Sequence, residues 1–348
     1  MKLGFVVNNV KTESAAYTTT RLAMTATNLG HESWTLGVGD FEYAPDGSIY
    51  AHARGVRGDH YDDLRVFMAE LQGTEARCEK IRVDDLDVLL LRNDPAEDVV
   101  EHPWAQTSGI LFGRLAVERG VMVVNDPEYL ATAINKTYFQ HFPEQVRPKT
   151  CISRNVKDIQ EFIEQHPGGV VVKPLQGSGG HNVFFIKESD RANQNQMIEA
   201  VLRDGYCIVQ EYLPAAAEGD VRLFVMNGQA LQKDGVYAAF RRVNRNGDGR
   251  SNMHSGGESV AAEVTPQMLE LVEAVRPKLV HDGMYLVGLD IVEDKLMEIN
   301  VFSPGGLGSV GSLTGIDFTE VVIRDLERKV RYKSLYGSRL RNWELATL

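Results

Sequence analysis

Two acids and an amide stand at positions where neighbouring strands could bring them together. Asp290 lies inside the apolar run 286–292, and Glu298 and Asn300 are two residues apart in the run 295–300. Residues i and i+2 project from one face of a strand, and a hairpin places the two runs side by side. Three oxygen donors then converge without sulfur or imidazole, which favours Mg²⁺ shared with substrate phosphates.

The alternative for these three residues is the ordinary solvent-facing side of a hairpin. Against it stands the position of Asp290 between apolar neighbours, where an uncompensated charge is costly. The residues alone therefore favour a metal site.

A lysine followed by a glycine loop forms the second chemical pattern. Lys173 ends an apolar run, and a short loop follows that contains Gly177, Ser178, Gly179 and Gly180. Glycines permit positive φ and let backbone N–H groups surround an anion, while the lysine adds a point charge. This suits nucleotide phosphates, although the lysine precedes the glycines, so it is not a Walker A loop. The alternative is a glycine hairpin with a solvated lysine.

A third glycine pattern, residues 306–311, formally matches GxGxxG. A dinucleotide fold needs a strand after the helix that this motif begins, and the chain instead continues into a basic segment at 329–348. We expect a substrate-facing nest of backbone N–H groups here and not a dinucleotide site.

Composition limits the class of protein. The 348 residues are 43% hydrophobic and 24% charged, which is typical of a globular chain with two or three domains. A net charge of −11 makes nucleic acid an unexpected partner. No apolar run approaches a membrane span and the N-terminus is unlike a signal peptide, so we expect a cytoplasmic protein. Cys78, Cys151 and Cys207 form no disulfide framework and are expected to be buried thiols.

Strand-like and helix-like patterns alternate over the first ~125 residues. Strands are predicted at 3–7, 33–38, 87–91 and 121–124, and helices at 17–29 and 104–119. The strands are too apolar for a half-exposed sheet, which indicates an open α/β domain with a parallel sheet. The polar stretch 40–80 carries no prediction.

The pattern then becomes α+β. Residues 169–173 and 182–186 are spaced as a hairpin, a helix follows at 193–203, and further strands are predicted at 206–210 and 221–226. Residues 241–258 lack apolar periodicity and are expected to be a mobile loop. The basic segment 329–348 is expected to be a terminal extension.

Taken in order, these motifs resemble the ATP-grasp ligases, and within them the prokaryotic-type glutathione synthetases. The resemblance spans roughly residues 1–330, including 91–95, and departs after Asn300, where a glycine run replaces a bulkier, arginine-containing stretch. The motifs are Asn135-Lys136, Val172-Lys173-Pro174-Leu175 with its glycine loop, Gln210-Glu211-Tyr212-Leu213-Pro214, Gly219-Asp220-Val221-Arg222, Arg242 with Arg250-Ser251-Asn252, Gly288-Leu289-Asp290 and Glu298-Ile299-Asn300.

The resemblance implies a role for each matching residue. Lys136 and Lys173 grip the phosphates of ATP together with the glycine loop. The backbone of residues 210–213 reads adenine, with Glu211 and Asp220 near the base or ribose. Residues 242–257 form a lid. The residues implied to bind nucleotide are Lys136, Lys173, Gly177, Ser178, Gly179, Gly180, Gln210, Glu211, Tyr212, Leu213 and Asp220.

On the substrate side, the resemblance implies that Arg222 and Arg242 are catalytic and face the carboxylate and the transferred phosphate. Mg²⁺ is implied at Asp290, Glu298 and Asn300. The acceptor amine faces the segment after Asn300 and is left open, as is the exact carboxylate donor. The implied substrate-binding residues are Arg92, Asn252, Ser303, Gly305 and Gly306.

The expected fold is an α/β preATP-grasp domain with an open parallel sheet, followed by an α+β ATP-grasp fold. The predicted parts are residues 1–127, a small subdomain at 128–212, a C-terminal subdomain at 213–332 and a basic extension at 333–348. The implied activity is ATP- and Mg²⁺-dependent amide formation from a small peptide and an amino acid by a homo-oligomer, dimer or tetramer. The alternatives are an ATP-grasp ligase with another acceptor, such as a D-alanine–D-alanine or ribosomal-protein glutamate ligase, and a synapsin-like ATP-binding module.

Overall fold

The computed structural model describes residues 1–177, 182–187, 192–243 and 258–348. Within these ranges three larger sheets follow one another along the chain, with a two-stranded ribbon beside the third. Ser178, Gly179, Gly180 and Asn252 lie outside the described residues, as does most of the predicted lid at 242–257.

The first sheet has seven strands. They are β1 (Lys2–Val7), β2 (Glu32–Gly37), β3 (Phe41–Tyr43), β4 (Ile49–Gly55), β5 (Arg77–Arg82), β6 (Val88–Leu91) and β7 (Met122–Val124). The order is β3-β4-β2-β1-β6-β7, with β5 also paired to β4. Strands β2, β1, β6 and β7 are parallel, whereas β3, β4 and β5 pair antiparallel. The predicted parallel sheet is therefore confirmed for its central strands.

Burial explains why only part of this sheet was predicted. Strands β6 and β7 are buried along their whole length, as parallel strands covered on both faces are. Strand β5 is mostly exposed and charged, so it lacks an apolar pattern. Cys78 lies on this strand and is exposed, which corrects the expectation that it is a buried thiol; Cys151 is partly buried and Cys207 is buried.

Helices α1 (Thr18–Asn28), α2 (Leu64–Gln72) and α3 (Ser108–Glu118) accompany the first sheet. Asp63 caps helix α2: its side chain accepts the N–H of Arg65 and satisfies one free donor of the first turn. A short helix α4 (Pro127–Leu130) follows, capped in the same way by Asp126.

The second sheet has four strands in the order β10-β9-β11-β8, all of them antiparallel. They are β8 (Thr150–Ser153), β9 (Val170–Pro174), β10 (Phe184–Ile186) and β11 (Cys207–Glu211), with helices α5 (Val156–Gln165) and α6 (Gln194–Leu202). The predicted hairpin of β9 and β10 is confirmed, with Phe184 opposite Val172. This sheet has its own apolar core, which includes Ile159, Val172 and Val209.

The third sheet has the order β17-β16-β12-β18-β19, with β13 paired to β12. Its strands are β12 (Asp220–Met226), β13 (Gln229–Ala230), β16 (Ala239–Val243), β17 (Glu258–Ala261), β18 (Leu286–Val292) and β19 (Lys295–Asn300), and the ribbon is β14 (Gln232–Lys233) with β15 (Val236–Tyr237). Helices α7 (Pro266–His281), α8 (Leu307–Thr314), α9 (Thr319–Tyr336) and α10 (Asn342–Thr347) complete the chain. Two large core clusters join side chains of the first and third sheets, for example Phe5 with Phe224.

Short 3-10 turns connect these elements. They span Val83–Asp85, Pro95–Asp98, Pro103–Thr107, Ala131–Ala133, Lys136–His141, Glu144–Val146, Pro214–Glu218 and Gly337–Arg339. Among the described helices, none has both the length and the apolar character to cross a bilayer.

The C-terminal segment packs against the first sheet. The side chain of Asn342 accepts the N–H of Val123 at 2.9 Å and donates to its carbonyl oxygen at 2.8 Å. These bonds occupy the open edge of β7 as a neighbouring strand would. Leu345 and Ala346 are buried, so this part of the basic extension closes a sheet edge.

Candidate active site

A cleft lies between the second sheet and the third. The turn Lys136–His141, the ends of β9 and β11, and strand β19 line it. The predicted site residues in its wall are Lys136, Lys173, Gly177, Gln210, Glu298, Asn300 and Ser303. The structure thus brings together residues that are up to 167 positions apart, from Lys136 to Ser303.

Lys136 is held by the turn that it begins. Asn135 caps this turn by accepting the N–H of Thr137 at 3.0 Å, and the N–H of Lys136 donates to the carbonyl oxygen of Leu175 at 3.1 Å. The Lys136 Nζ donates to Glu298 Oε1 at 2.6 Å. Burial lowers the pKa of Lys136, but the nearby carboxylates, Glu298 foremost, more than offset this and raise it. Lys136 is therefore a cation at neutral pH.

Lys173 reaches the cleft from the end of β9. Its Nζ donates to Gln210 Oε1 on the neighbouring strand at 3.0 Å, and Gln210 is only 1% exposed. Burial, together with repulsion from Lys136 and against an opposing effect of Glu298, lowers the pKa of Lys173 to about 8. An anion in the cleft would relieve this repulsion, as the phosphate interpretation requires.

Asp290 lies at the centre of a buried network of charges beside the cleft. Arg222 binds both of its carboxylate oxygens, with Nη2 at 2.9 Å from Oδ2, and Arg242 Nη2 lies 2.7 Å from the same oxygen. Arg242 also binds Asp220, with Nε 3.1 Å from Oδ2. Burial raises the pKa of Asp290, but the two guanidinium groups hold it well below its usual range.

The strand register places these four residues together. Arg222 lies opposite Asp290 between β12 and β18, and Asp220 lies opposite Arg242 between β12 and β16. Directly opposed side chains of an antiparallel pair are close enough to form ion pairs. Asp220, which the resemblance placed near the base or ribose, is here a partner of Arg242.

The three predicted metal ligands also meet. Asp290 is opposite Glu298 in the register of β18 and β19, and Asn300 Nδ2 donates to Asp290 Oδ2 at 3.3 Å. Their hard oxygen donors fit Mg²⁺. Over the described ranges, no group of three or more histidine, cysteine, aspartate or glutamate side chains could hold a metal ion. A cation at this place would therefore use two carboxylates with the Asn300 amide oxygen or oxygens of a substrate.

The predicted adenine segment follows Gln210 out of β11. The N–H of Glu211 donates to Lys149 O and that of Tyr212 to Gly169 O, each at 3.0 Å. The cleft wall includes Gln210 but not Glu211, Tyr212 or Leu213. Adenine recognition by these three residues stays a prediction.

The predicted acceptor segment lies between the first sheet and the arginine network. Arg92 Nη2 donates to Pro304 O at 3.0 Å, and Arg222 Nη1 donates to Gly305 O at 3.1 Å. Gly306, with φ of 113°, precedes α8, and a Cβ there would lie 2.5 Å from the ring of Phe240. Helix α8 is followed by α9 and not by a strand, which agrees with the exclusion of a dinucleotide fold. Part of the expected N–H nest is occupied, because Leu307 N donates to Thr18 Oγ1 at 3.3 Å.

Two charged residues near this segment were missed by the sequence analysis. Glu13 interacts electrostatically with Arg92, and Arg21 packs against Gly308. Neither belongs to a motif, and the only sequence signal is a lone arginine in the threonine- and alanine-rich helix α1.

Comparison with known families covers nearly the whole chain. Residues 1–130 match the prokaryotic glutathione synthetase N-terminal domain, and residues 135–315 match the prokaryotic glutathione synthetase ATP-grasp domain. The resemblance stated from the motifs is confirmed.

Individual relatives agree. A glutathione synthetase of Agrobacterium fabrum is 32% identical over 302 residues, which cover 83% of this chain and 86% of the relative. A glutathione synthetase of Escherichia coli K12 is 29% identical over 339 residues, covering 95% of this chain and 99% of the relative.

Solved structures confirm the fold. The D-cycloserine synthetase DcsG superposes with a TM-score of 0.62 at 13% identity, covering 94% of this chain and 99% of that one. The ATP-grasp ligase PsnB in complex with a minimal precursor gives 0.58 at 16% identity, covering 94% and 98%. The α/β domain followed by an ATP-grasp fold is thus the observed architecture, and the chain belongs to the prokaryotic glutathione synthetase family.

Proposed function

We propose that the protein is a glutathione synthetase, which uses ATP and Mg²⁺ to join γ-glutamylcysteine to glycine with release of ADP and phosphate. The observation that carries the proposal is the meeting of Lys136, Lys173 and Glu298 in one cleft, beside the network of Asp290 with two arginines. Such an arrangement can neutralise a polyphosphate and a transferred phosphoryl group. Membership of the family supports the choice of substrates.

In this proposal the γ-phosphate passes to the dipeptide carboxylate, and the amine attacks the resulting acyl phosphate to form the amide. Lys136 and Lys173 bind phosphate oxygens, with Gly177 at the start of the glycine loop. Arg222 and Arg242 neutralise the carboxylate and the phosphoryl group as they approach. Asp290, Glu298 and Asn300 would hold Mg²⁺, which would supply further charge neutralisation at the phosphates. No side-chain nucleophile is required.

The remaining assignments are part of the same proposal. Gln210 and the following residues hold the adenosine, and Arg92, Ser303, Gly305 and Gly306 face the peptide and amine substrates. The domain limits stay as predicted from the sequence. A cytoplasmic location is proposed, since ATP and a free-thiol dipeptide coexist in a reducing compartment. A homo-oligomer is proposed from the resemblance alone.

The test is a phosphate-release assay with ATP, Mg²⁺, γ-glutamylcysteine and glycine, combined with mass detection of glutathione. We expect release that depends on all four components. Release only with another amine would replace glycine as the acceptor, whereas nucleotide binding without release would favour the ATP-binding module. Lys173→Ala is the matched negative control, because it removes one fixed phosphate-binding charge.

A further inference from the structure

A second group of charged side chains lies where the first turns of α1 meet residues 304–308. Arg92 is 6% exposed and connects the two, donating from Nε to Thr19 Oγ1 at 3.2 Å and from Nη2 to Pro304 O at 3.0 Å. The next carbonyl group, that of Gly305, is bound by Arg222 of the arginine network. Arg92 and Arg222 thus bind the carbonyl groups of adjacent residues, Pro304 and Gly305, and this connects the second group to the arginine network.

Arg21 occupies the space where a side chain at position 308 would lie. A Cβ on Gly308 would overlap Arg21 Nε and lie 2.7 Å from its Cζ and 2.9 Å from its Nη2. Helix α1 thus places a guanidinium group beside residues 304–308. These residues have no charged side chain of their own, since positions 305, 306 and 308 are glycine. Arg21 Nε is buried and has no acceptor among the described residues.

Glu13 is the complementary group. Its Oε2 is buried and has no donor in the described part of the chain. Burial raises its pKa to about 7, with Arg92 opposing this effect and Glu97 adding to it. A buried polar atom without a partner is costly, and a bound molecule that supplies the partner removes that cost. Glu13 Oε2 can accept from a cationic donor, and Arg21 Nε can donate to an anion.

We propose that Arg21, Glu13 and Arg92 form a subsite for the α-amino-acid group of a substrate, with the guanidinium groups on its carboxylate and Glu13 on its ammonium. This inference rests on the proposed function, because it extends the same site. The chemistry is shared by the γ-glutamyl end of the peptide donor and by the free amino acid acceptor. Arg21 Nε and Glu13 Oε2 are the atoms that such a group would pair with.

The central experiment removes Arg21 and then returns the charge from Gly308. Arg21→Ala should raise the KM of one substrate at least about tenfold, with little change in kcat, because a charge-assisted pair is lost. Arg21→Ala with Gly308→Arg should restore that KM, because the space left by Arg21 is where a side chain at 308 points. The matched control, Arg21→Ala with Gly308→Met, fills the space without adding a charge and should not restore the KM. Arg324→Ala removes an exposed arginine elsewhere and should change nothing.

Glu13→Gln keeps the shape of the side chain and should raise the KM of the same substrate. The two arms are titrations of γ-glutamylcysteine and of glycine, each at saturating partner, and the substrate whose KM moves in both variants is the occupant. Calorimetric titration of each compound, with an ATP analogue and Mg²⁺, gives an independent readout, and ADP affinity reports that the variants are folded. Arg21→Gln serves if Arg21→Ala does not fold.

Unchanged KM and affinity for both substrates in Arg21→Gln and Glu13→Gln would overturn the subsite and leave the proposed function standing. Absence of turnover in the natural sequence would overturn the proposed function instead. Binding that is lost in these variants would then still support the subsite. If the natural sequence bound neither compound, both proposals would fail.

Discussion

Lys136 and Glu298 form an ion pair of 2.6 Å across the wall of the cleft. In the proposed site Lys136 binds phosphate and Glu298 binds Mg²⁺. In the free protein, without these ligands, the two side chains neutralise each other's charge. Their side chains are 24% and 42% exposed, and a pair of that exposure is weak. Binding of nucleotide and metal therefore breaks the Lys136–Glu298 pair at little cost in free energy. It forms two new pairs, Lys136 with phosphate and Glu298 with Mg²⁺.

Glu298→Gln should abolish turnover and leave the fold intact. The variant removes a ligand charge from a partly exposed place, so phosphate release should fall by at least about a hundredfold while the free energy of unfolding changes by less than about 1 kcal/mol. Phosphate release and thermal unfolding measured on the same preparation check both statements. Normal release would refute the metal assignment.

Asp290→Asn should behave differently, because Asp290 is 2% exposed and bound by two arginines. Loss of its charge leaves Arg222 without a carboxylate partner in a buried place and leaves Arg242 with Asp220 alone. We expect loss of turnover together with a loss of about 3–5 kcal/mol of stability. Denaturant unfolding compared with Glu298→Gln separates the two cases. Equal stability of the two variants would contradict the pairing of Asp290 with both arginines.

The contrast between Asp290 and Glu298 shows which features of the site can be predicted from the sequence. The spacing of Asp290, Glu298 and Asn300 predicted their convergence correctly, since register follows from strand period. Their partners could not be predicted, because Arg222 and Lys136 come from other elements whose placement depends on tertiary packing. Exposed strand β5 and the exposed Cys78 were missed for a related reason: a charged edge strand has no apolar period to detect.

The pH dependence of nucleotide binding should report Lys173. Its pKa is about 8, so it is charged below that pH and neutral above it. Phosphate binds the charged form, and above pH 8 binding must also take up a proton. ADP affinity should therefore fall as pH rises through 8, by up to about tenfold per pH unit. Calorimetry from about pH 7 to about 9.5 measures this dependence. The Lys173→Met variant should bind ADP more weakly, with an affinity that is nearly independent of pH over this range.

Gly219 is required by the neighbouring strand. Its φ is 96°, and a Cβ there would overlap the carbonyl oxygen of Arg242. Gly219→Ala should therefore displace β16 and with it the pairing of Arg242 with Asp220. We expect a loss of about 2–4 kcal/mol of stability and a lower kcat. Gly205→Ala provides the control, since its φ is also positive, at 126°, but no atom lies within 4 Å of the added Cβ. Similar losses in both variants would attribute the effect to backbone strain alone.

Glu13→Gln should stabilise the protein above neutral pH even though it weakens substrate binding. The pKa of Glu13 is raised from an ordinary 4.5 to about 7, chiefly by burial, while Arg92 opposes and Glu97 adds to the rise. Between these values the folded state binds more protons than the unfolded state, so the contribution of Glu13 to stability falls as pH rises from 4.5 to 7. Above pH 7 its ionised form costs at most about 3 kcal/mol, which the glutamine does not incur.

Denaturant unfolding of the natural sequence and of Glu13→Gln is measured at about pH 5, 6, 7 and 8, which spans the two pKa values. The difference reports Glu13 and its coupling to Glu97, because the titrations of groups that do not interact with Glu13 cancel. Tyr17, which faces the same acids, stays neutral over this range because burial and those acids raise its pKa. A gain for the variant that grows towards pH 7 and then levels off is expected. A difference in stability that does not vary with pH would show that Glu13 has an ordinary pKa and is already paired in the folded protein. A gain in stability combined with a loss of substrate affinity is the behaviour of a binding residue, because the carboxylate is then kept for its ligand and not for the fold.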